Sequence, residues 1–198
     1  MLENKASSSD LVGSSLVLAK PVIESVGAGG VYTMQCFDKD GKLKWEESSH
    51  NLVMNVGLQD MNAKYFLGSA YTAAWFIGLI TGPGSGTTIV AGDTMAAHGG
   101  WTENVGYSNA TRPAATFGTA TLAMPSVISN SVASGGTLAT FNINATSNIG
   151  GAFLTSVSTK SGTTGILFSA SDFQSPGDRS VVSGDTLNVT YQFSLTAT

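Results

Sequence analysis

The chain is short of nearly every group that carries chemistry. One cysteine, Cys36, stands among 198 residues, so an internal disulfide is excluded and the fold must hold by packing. Cys36 lies in the apolar run VYTMQCF with no His or Lys beside it, which predicts a buried, inert thiol. Charged residues make up 11% of the chain and only nine are basic; phosphate binding needs clustered Lys and Arg, so a nucleic-acid surface is not expected. There are two histidines, His50 and His98, neither beside a G-x-S-x-G elbow, which leaves a Ser-His-Asp hydrolase without its parts. No run of 18 apolar residues occurs, and the opening MLENKASSSD lacks a basic segment followed by an apolar one. Neither a membrane span nor a standard export signal is expected.

What the chain does have is glycine, 24 residues of it, among Ser, Thr and Asn. That balance suits a turn-rich β protein, since a helical bundle of this size would need many more Lys and Glu on its surface. The length suits one domain able to bury roughly 70% of its unfolded surface. Charge is also uneven. Residues 1–64 hold 14 of the 22 charged side chains, and the 134 residues from 65 onward hold 8, giving a hydroxyl- and amide-rich skin with little desolvation cost on packing against neighbours.

Residues 1–30 mix Ser-rich and Gly-rich pieces with one apolar run, Leu16–Ala19, before Pro21; they predict an extended N-terminal arm, 20 residues of which reach about 65–70 Å. From Val31 the chain predicts a single β domain to residue 198. VYTMQCF and LKWEE, joined through Asp40-Gly41, form a hairpin. HNLVMNVGLQDMNAKYFLG predicts the one substantial helix, with Asn51 or Asn55 as N-cap and Leu52, Val56, Met61, Tyr65 and Phe66 near helical spacing. Gly57 costs that helix about 1 kcal/mol relative to Ala. AWFIGLI (74–80) is a buried strand that takes Trp75 into the core. Residues 81–113 have no period and predict a long loop. ATFGTATLAM, TLATFNINA, GAFLTSVS, GILFSA and DTLNVTYQFSLT follow as short β segments. In the last, Leu187, Val189, Tyr191, Phe193 and Leu195 alternate with polar residues, so that one face points inward. The fold class is all-β: a jelly-roll-like antiparallel β-sandwich with one short helix and an extended arm.

The least generic stretch is DTMAAHGGWTENVGYSNATRP (93–113). Asp93, His98 and Glu103 could converge on a cation, but solvated loop charges explain them more simply, and no cofactor or metal is expected. GPGSGTT matches a phosphate loop in glycine content alone. Trp45 and Trp101 stand among polar residues, where a Trp anchors an interface or a sugar ring or packs half-buried. His50 is expected to bond backbone at the start of the helix, and His98 within its loop. Arg112 is the only basic residue between Lys64 and Lys160 and is expected to pin the loop by a fork to Asp93 or Glu103.

FDKDGKLKWEESSHNLVMNVGLQDMNAKYF, WFIGLI, DTMAAHGGWTENVGYSNATRPA, GAFL, GILFSASDF and GDTLNVTY together resemble the capsid cement or decoration proteins of short-tailed bacteriophages, over about residues 31–195. The resemblance implies a non-enzymatic virion protein on the outer capsid surface, made in the bacterial host cytoplasm. Its partners would be the major capsid protein and a second copy of itself, as a homodimer or else a trimer, with no direct nucleic acid and no membrane. Trp45, His50, Asn51, Gly57, His98, Trp101, Glu103 and Arg112 carry the motifs as loop-organising or partner-binding positions. Residues 1–30 match no motif of the group. Two other readings stand beside it: a tail-associated glycan- or receptor-binding module with Trp101 and Tyr107 facing a sugar, and a polysaccharide hydrolase using Asp172, Asp178 and Asp185.

Overall fold

The computed structural model describes residues 25–71, 74–82, 88–173 and 177–197. In chain order the elements are β1 (Val26–Phe37), β2 (Leu43–His50), β3 (Leu52–Val53), α1 (Asn55–Phe66), β4 (Phe76–Thr81), β5 (Glu103–Asn104), β6 (Ser126–Ser129), β7 (Ala139–Asn142), β8 (Ser147–Thr155), β9 (Leu167–Asp172), β10 (Arg179–Val181) and β11 (Thr186–Ala197). They form two antiparallel sheets. One runs β2-β1-β11, with β6 and β7 sharing the far edge of β11; the other runs β3-β9-β8-β4-β5, with β10 beside β8.

The sheets meet because their strands alternate. Tyr32, Met34 and Cys36 of β1 and Leu187, Val189, Tyr191 and Phe193 of β11 point inward from the first sheet. Ile77, Leu79, Ala152, Leu154 and Phe168 meet them from the second. The fold is thus the all-β sandwich that the β11 alternation predicts. The DKDGK hairpin forms as expected: Asp38 accepts from the amides of Asp40 and Lys42, each at 2.9 Å, and Gly41 takes a φ of 78°. Asp38 is held below its ordinary pKa chiefly by the Lys42 amide.

Strand β11 is flanked on one side by β1 along its whole length. On the other, β7 pairs with Thr186–Val189 and β6 with Gln192–Leu195, which leaves a gap between them. The fully buried Asn130 fills it. Its Oδ1 accepts from the Tyr191 amide at 2.6 Å and its Nδ2 donates to the Val189 and Thr137 carbonyls at 3.2 Å, so a side-chain amide stands in for the missing stretch of strand.

Several expectations need correction. Strand β1 begins at Val26 and pairs with Ala197, so residues 26–30 of the expected arm belong to the sandwich; residues 1–24 lie outside the described residues, as does 83–87, most of the glycine-rich GPGSG loop. The N-cap of α1 is Met54, with no side-chain cap bond; Asn55 is its first helical residue, and Asn51 Nδ2 instead donates to the Tyr191 hydroxyl at 2.9 Å. ATFGTATLAM does not form a strand. Ala114, just before it, and Thr116, its second residue, make isolated bridges to Phe76 and Thr137, and the strand begins only at Ser126. Of the expected 81–113 loop, residues 88–113 form a packed layer containing β5, with Met95 and Trp101 joining Met54, Ile80, Phe153, Leu167 and Ala170 in a second small core.

The expected apolar face of α1 forms only in part: Val56 and Met61 pack half-buried against the two cores, while Tyr65 and Phe66 stay exposed. Gly57 is the one buried residue of the helix, and a Cβ there would lie 2.6 Å from the Phe168 carbonyl oxygen and 3.1 Å from its Cα. The glycine is the contact that lets helix and β9 approach. Gly57→Ala gains about 1 kcal/mol of helix propensity but meets rigid backbone, so we expect net destabilisation by about 1–3 kcal/mol. A thermal unfolding midpoint at or above that of the wild type would contradict the packing.

Candidate functional site

The loop layer is organised by one ion pair. Arg112, 1% exposed, donates from Nε to Glu103 Oε1 and from Nη2 to Glu103 Oε2, both at 2.8 Å, the two-pronged geometry that only a guanidinium makes. Its Nη1 donates to the Val157 carbonyl at 2.8 Å and Nη2 also to Gly162 at 3.3 Å, while the guanidinium lies 5.2 Å from the centre of the Phe153 ring. Glu103 accepts in addition from the Ser161 amide at 2.7 Å, and Ser161 has a φ of 54°, a conformation its side chain disfavours and the carboxylate helps hold. The pair therefore joins β5 and the end of the 93–113 loop to the β8–β9 connection.

Asp93 is spent elsewhere: it accepts from Trp101 Nε1 at 3.0 Å and from the Val90 amide at 3.2 Å. His98 stacks on Trp101 with ring centres 3.9 Å apart, its Nδ1 3.0 Å from the Trp101 carbonyl; a carbonyl only accepts, so that nitrogen carries the proton. Asp93, His98 and Glu103 thus hold separate partners, and no group of three metal-ligating side chains forms among the described residues. Trp101 is buried and offers no ring face to a sugar, and neither does Tyr107, whose ring meets Phe141 edge-on and is covered by Lys160 Nζ 3.9 Å from its centre. Trp45 is half-buried, bonding the Ser180 carbonyl at 3.1 Å and meeting Phe173 edge-on. His50 is exposed at the end of β2, where its backbone pairs with Val31.

A second polar cluster underlies the β10–β11 turn. Asp185 accepts from Lys44 Nζ at 2.5 Å, from the Val182 amide at 2.8 Å and from the Cys36 thiol at 3.7 Å. Its bond and charge raise the Lys44 pKa. Burial, then the Asp185 charge, push the Cys36 thiol up to about 12, which makes it the inert thiol its surroundings predict. Asp185 is thus occupied by contacts that hold the β10–β11 turn to β1 and β2. Burial likewise raises Tyr32, Tyr107 and Tyr191 above the ordinary phenol range.

The surface feature missing from the sequence reading lies at the far end of α1. Tyr65, Phe66 and Leu67 are 84%, 74% and 79% exposed, and Tyr71 is exposed beside them. Three successive large apolar residues cannot share one helix face, a signal present in the sequence. Next to them a groove of about 290 Å³ opens into the sandwich. Met61, Trp75, Phe117, Ile128, Phe168 and Phe193 line it, with Asp60 and Lys64 also on its wall, 3.8 Å apart. Trp75, expected in the core, is a half-buried wall of this groove. No protein-family model, no curated protein and no solved structure matches the chain.

Two outcomes follow from the buried charges. Arg112→Met strands the Glu103 carboxylate and should cost about 3–5 kcal/mol, whereas replacing both partners by apolar residues should cost far less; equal losses in urea titrations would rule out the buried pair. The thiol and the three phenols are protonated in the folded chain well above the pH at which they ionise when unfolded. Their stabilisation is complete below the ordinary thiol pKa and is lost as pH rises through the folded values. Stability measured by urea unfolding should therefore hold from pH 7 to 8 and decline steadily above about pH 9, with a gentler decline in Cys36→Ala.

Proposed function

We propose that this chain is a non-enzymatic structural protein of a virion, a cement or decoration protein that binds the outer face of the major capsid protein shell and stabilises it against internal DNA pressure. The observation that carries this reading is the solvent-exposed group Tyr65, Phe66, Leu67 and Tyr71, which holds every exposed large aromatic among the described residues of a sparsely charged protein whose other exposed apolar side chains are aliphatic, Leu122 and Val132 among them. Contiguous exposed aromatics of this kind mark protein interfaces, and a hydroxyl-rich skin gives up little hydration when neighbours close over it. Repetition over a lattice multiplies modest contacts through avidity. A jelly-roll strand arrangement, like the virion location, belongs to this reading.

The distinctive charged residues of the loop layer support it indirectly. Arg112, Glu103 and Asp93 bond the protein's own loops rather than pointing into an open cleft. The tail-module reading loses ground because Trp101 and Tyr107 present no free aromatic face. The experiment is sedimentation of the purified protein with empty, expanded capsids of its phage. We expect saturable binding near one copy per capsid subunit, and a loss of at least about tenfold in affinity for the Tyr65→Asp/Phe66→Asp variant, whose changes are at exposed positions. Absence of binding, or unchanged binding by the variant, would overturn the proposal.

A further inference from the structure

The groove beside α1 is an unfinished piece of core. Its walls come from both sheets and the helix: Phe193 and Ile128 from the first sheet, Phe168 from the second, Met61 from α1, with Trp75 and Phe117 closing the sides. At about 290 Å³ it lies at the lower limit of ligand cavities, and its lining is overwhelmingly apolar. It suits a few aliphatic side chains from a peptide segment better than a cofactor or a sugar. We propose that this groove receives the Leu16–Ala19 run of a second copy of the chain, so that two copies exchange their N-terminal segments.

The argument rests on the length of chain before Ser25 and on the direction in which it departs. Val26–Gly29 pair with β11 alone; β2 joins β1 at Val31, and the Gly30 carbonyl accepts from the Asn51 amide just beyond it. The β1–β11 ribbon therefore runs about 13 Å beyond that point. Phe193, in the groove, pairs with Gly30, whereas Val26 pairs with Ala197 at the ribbon's tip, so the chain followed back from Gly30 moves away from its own groove. Entering that groove would require the chain to turn back between Leu16 and Ser25, whereas a second copy's groove asks for no reversal. Leading outward, the ten residues from Leu16 to Val26 span up to about 33 Å, and the whole segment more than twice that. Leu16, Val17 and Leu18 are the only three consecutive large apolar residues among residues 1–24. Lys20 follows them closely in sequence, a charge opposite to that of Asp60 on the groove wall.

Exchange between two copies is isologous and buries two runs in two grooves. The second insertion is intramolecular once the first is made, which strengthens the pair. This inference concerns the protein alone and stands whether or not it binds a capsid.

The test uses the full chain in three forms: wild type, Leu16→Asp/Leu18→Asp, which alters the arm, and Met61→Glu, which alters the groove. Analytical ultracentrifugation should show wild-type dimers and at least about tenfold weaker association for each variant. A fluorescent peptide of residues 12–22 should bind the Leu16→Asp/Leu18→Asp chain, whose groove is empty, and not Met61→Glu. Three results would overturn the proposal: undiminished association of the arm variant, no peptide binding to it, or a monomeric wild type that excludes the peptide because its own arm fills its own groove. If Met61→Glu does not fold, the arm variant and the peptide decide alone.

Discussion

Strand β11 is the element on which both halves of the first sheet depend. It presents four fully inward side chains to the core on one face of its pleat and offers hydrogen bonds along both edges to β1, β6 and β7. Two short strands can share one long edge only if the backbone groups between them are satisfied, and Asn130 does this with one amide serving both a buried donor and buried acceptors. The remaining architecture follows. Tyr191, placed at that junction, stacks 4.5 Å from Tyr32 across the β1–β11 pair and bonds Ser169 of the opposing sheet and Asn51 before the helix. One strand thus fixes sheet pairing, sheet-to-sheet contact and the position from which α1 starts.

How much of this could be read beforehand depended on whether the determining physics was local. The alternation in Leu187–Leu195 and the Asp-Gly turn are local signals, and both gave the right element. The helix was visible too, but its buried face was not. Spacing of large apolar residues assumes that a helix buries bulk, whereas α1 docks through Gly57 against the Phe168 backbone and leaves Tyr65 and Phe66 outside. Asn130 was equally invisible, because a polar residue that substitutes for a strand has no periodic signature. The groove arises from residues spread between positions 60 and 193, and only the closed fold brings them together.

The 93–113 segment combined a correct inference with a misleading one. A lone Arg before a proline suggested a fork to a carboxylate, and Glu103 supplies it. The neighbouring Trp101 suggested an outward anchor and is instead a wall of the second core, held by Asp93 and covered by His98. Aromatic and charged residues in an irregular segment serve surface recognition or loop construction equally well. What separates the two is whether their polar atoms are already spoken for, and those of Asp93, Trp101, Glu103 and Arg112 are.

The pairing of Val26 with Ala197 places both ends of the described chain at one corner of the molecule. A tag or reporter added after Thr198 would emerge where the N-terminal segment departs and compete with it for the same space. An internal position such as the exposed β1–β2 turn at Asp40, in the same sheet but displaced along β1 by its whole length, offers attachment without that conflict. The choice between those two sites decides whether a label crowds the departing N-terminal segment or leaves it clear.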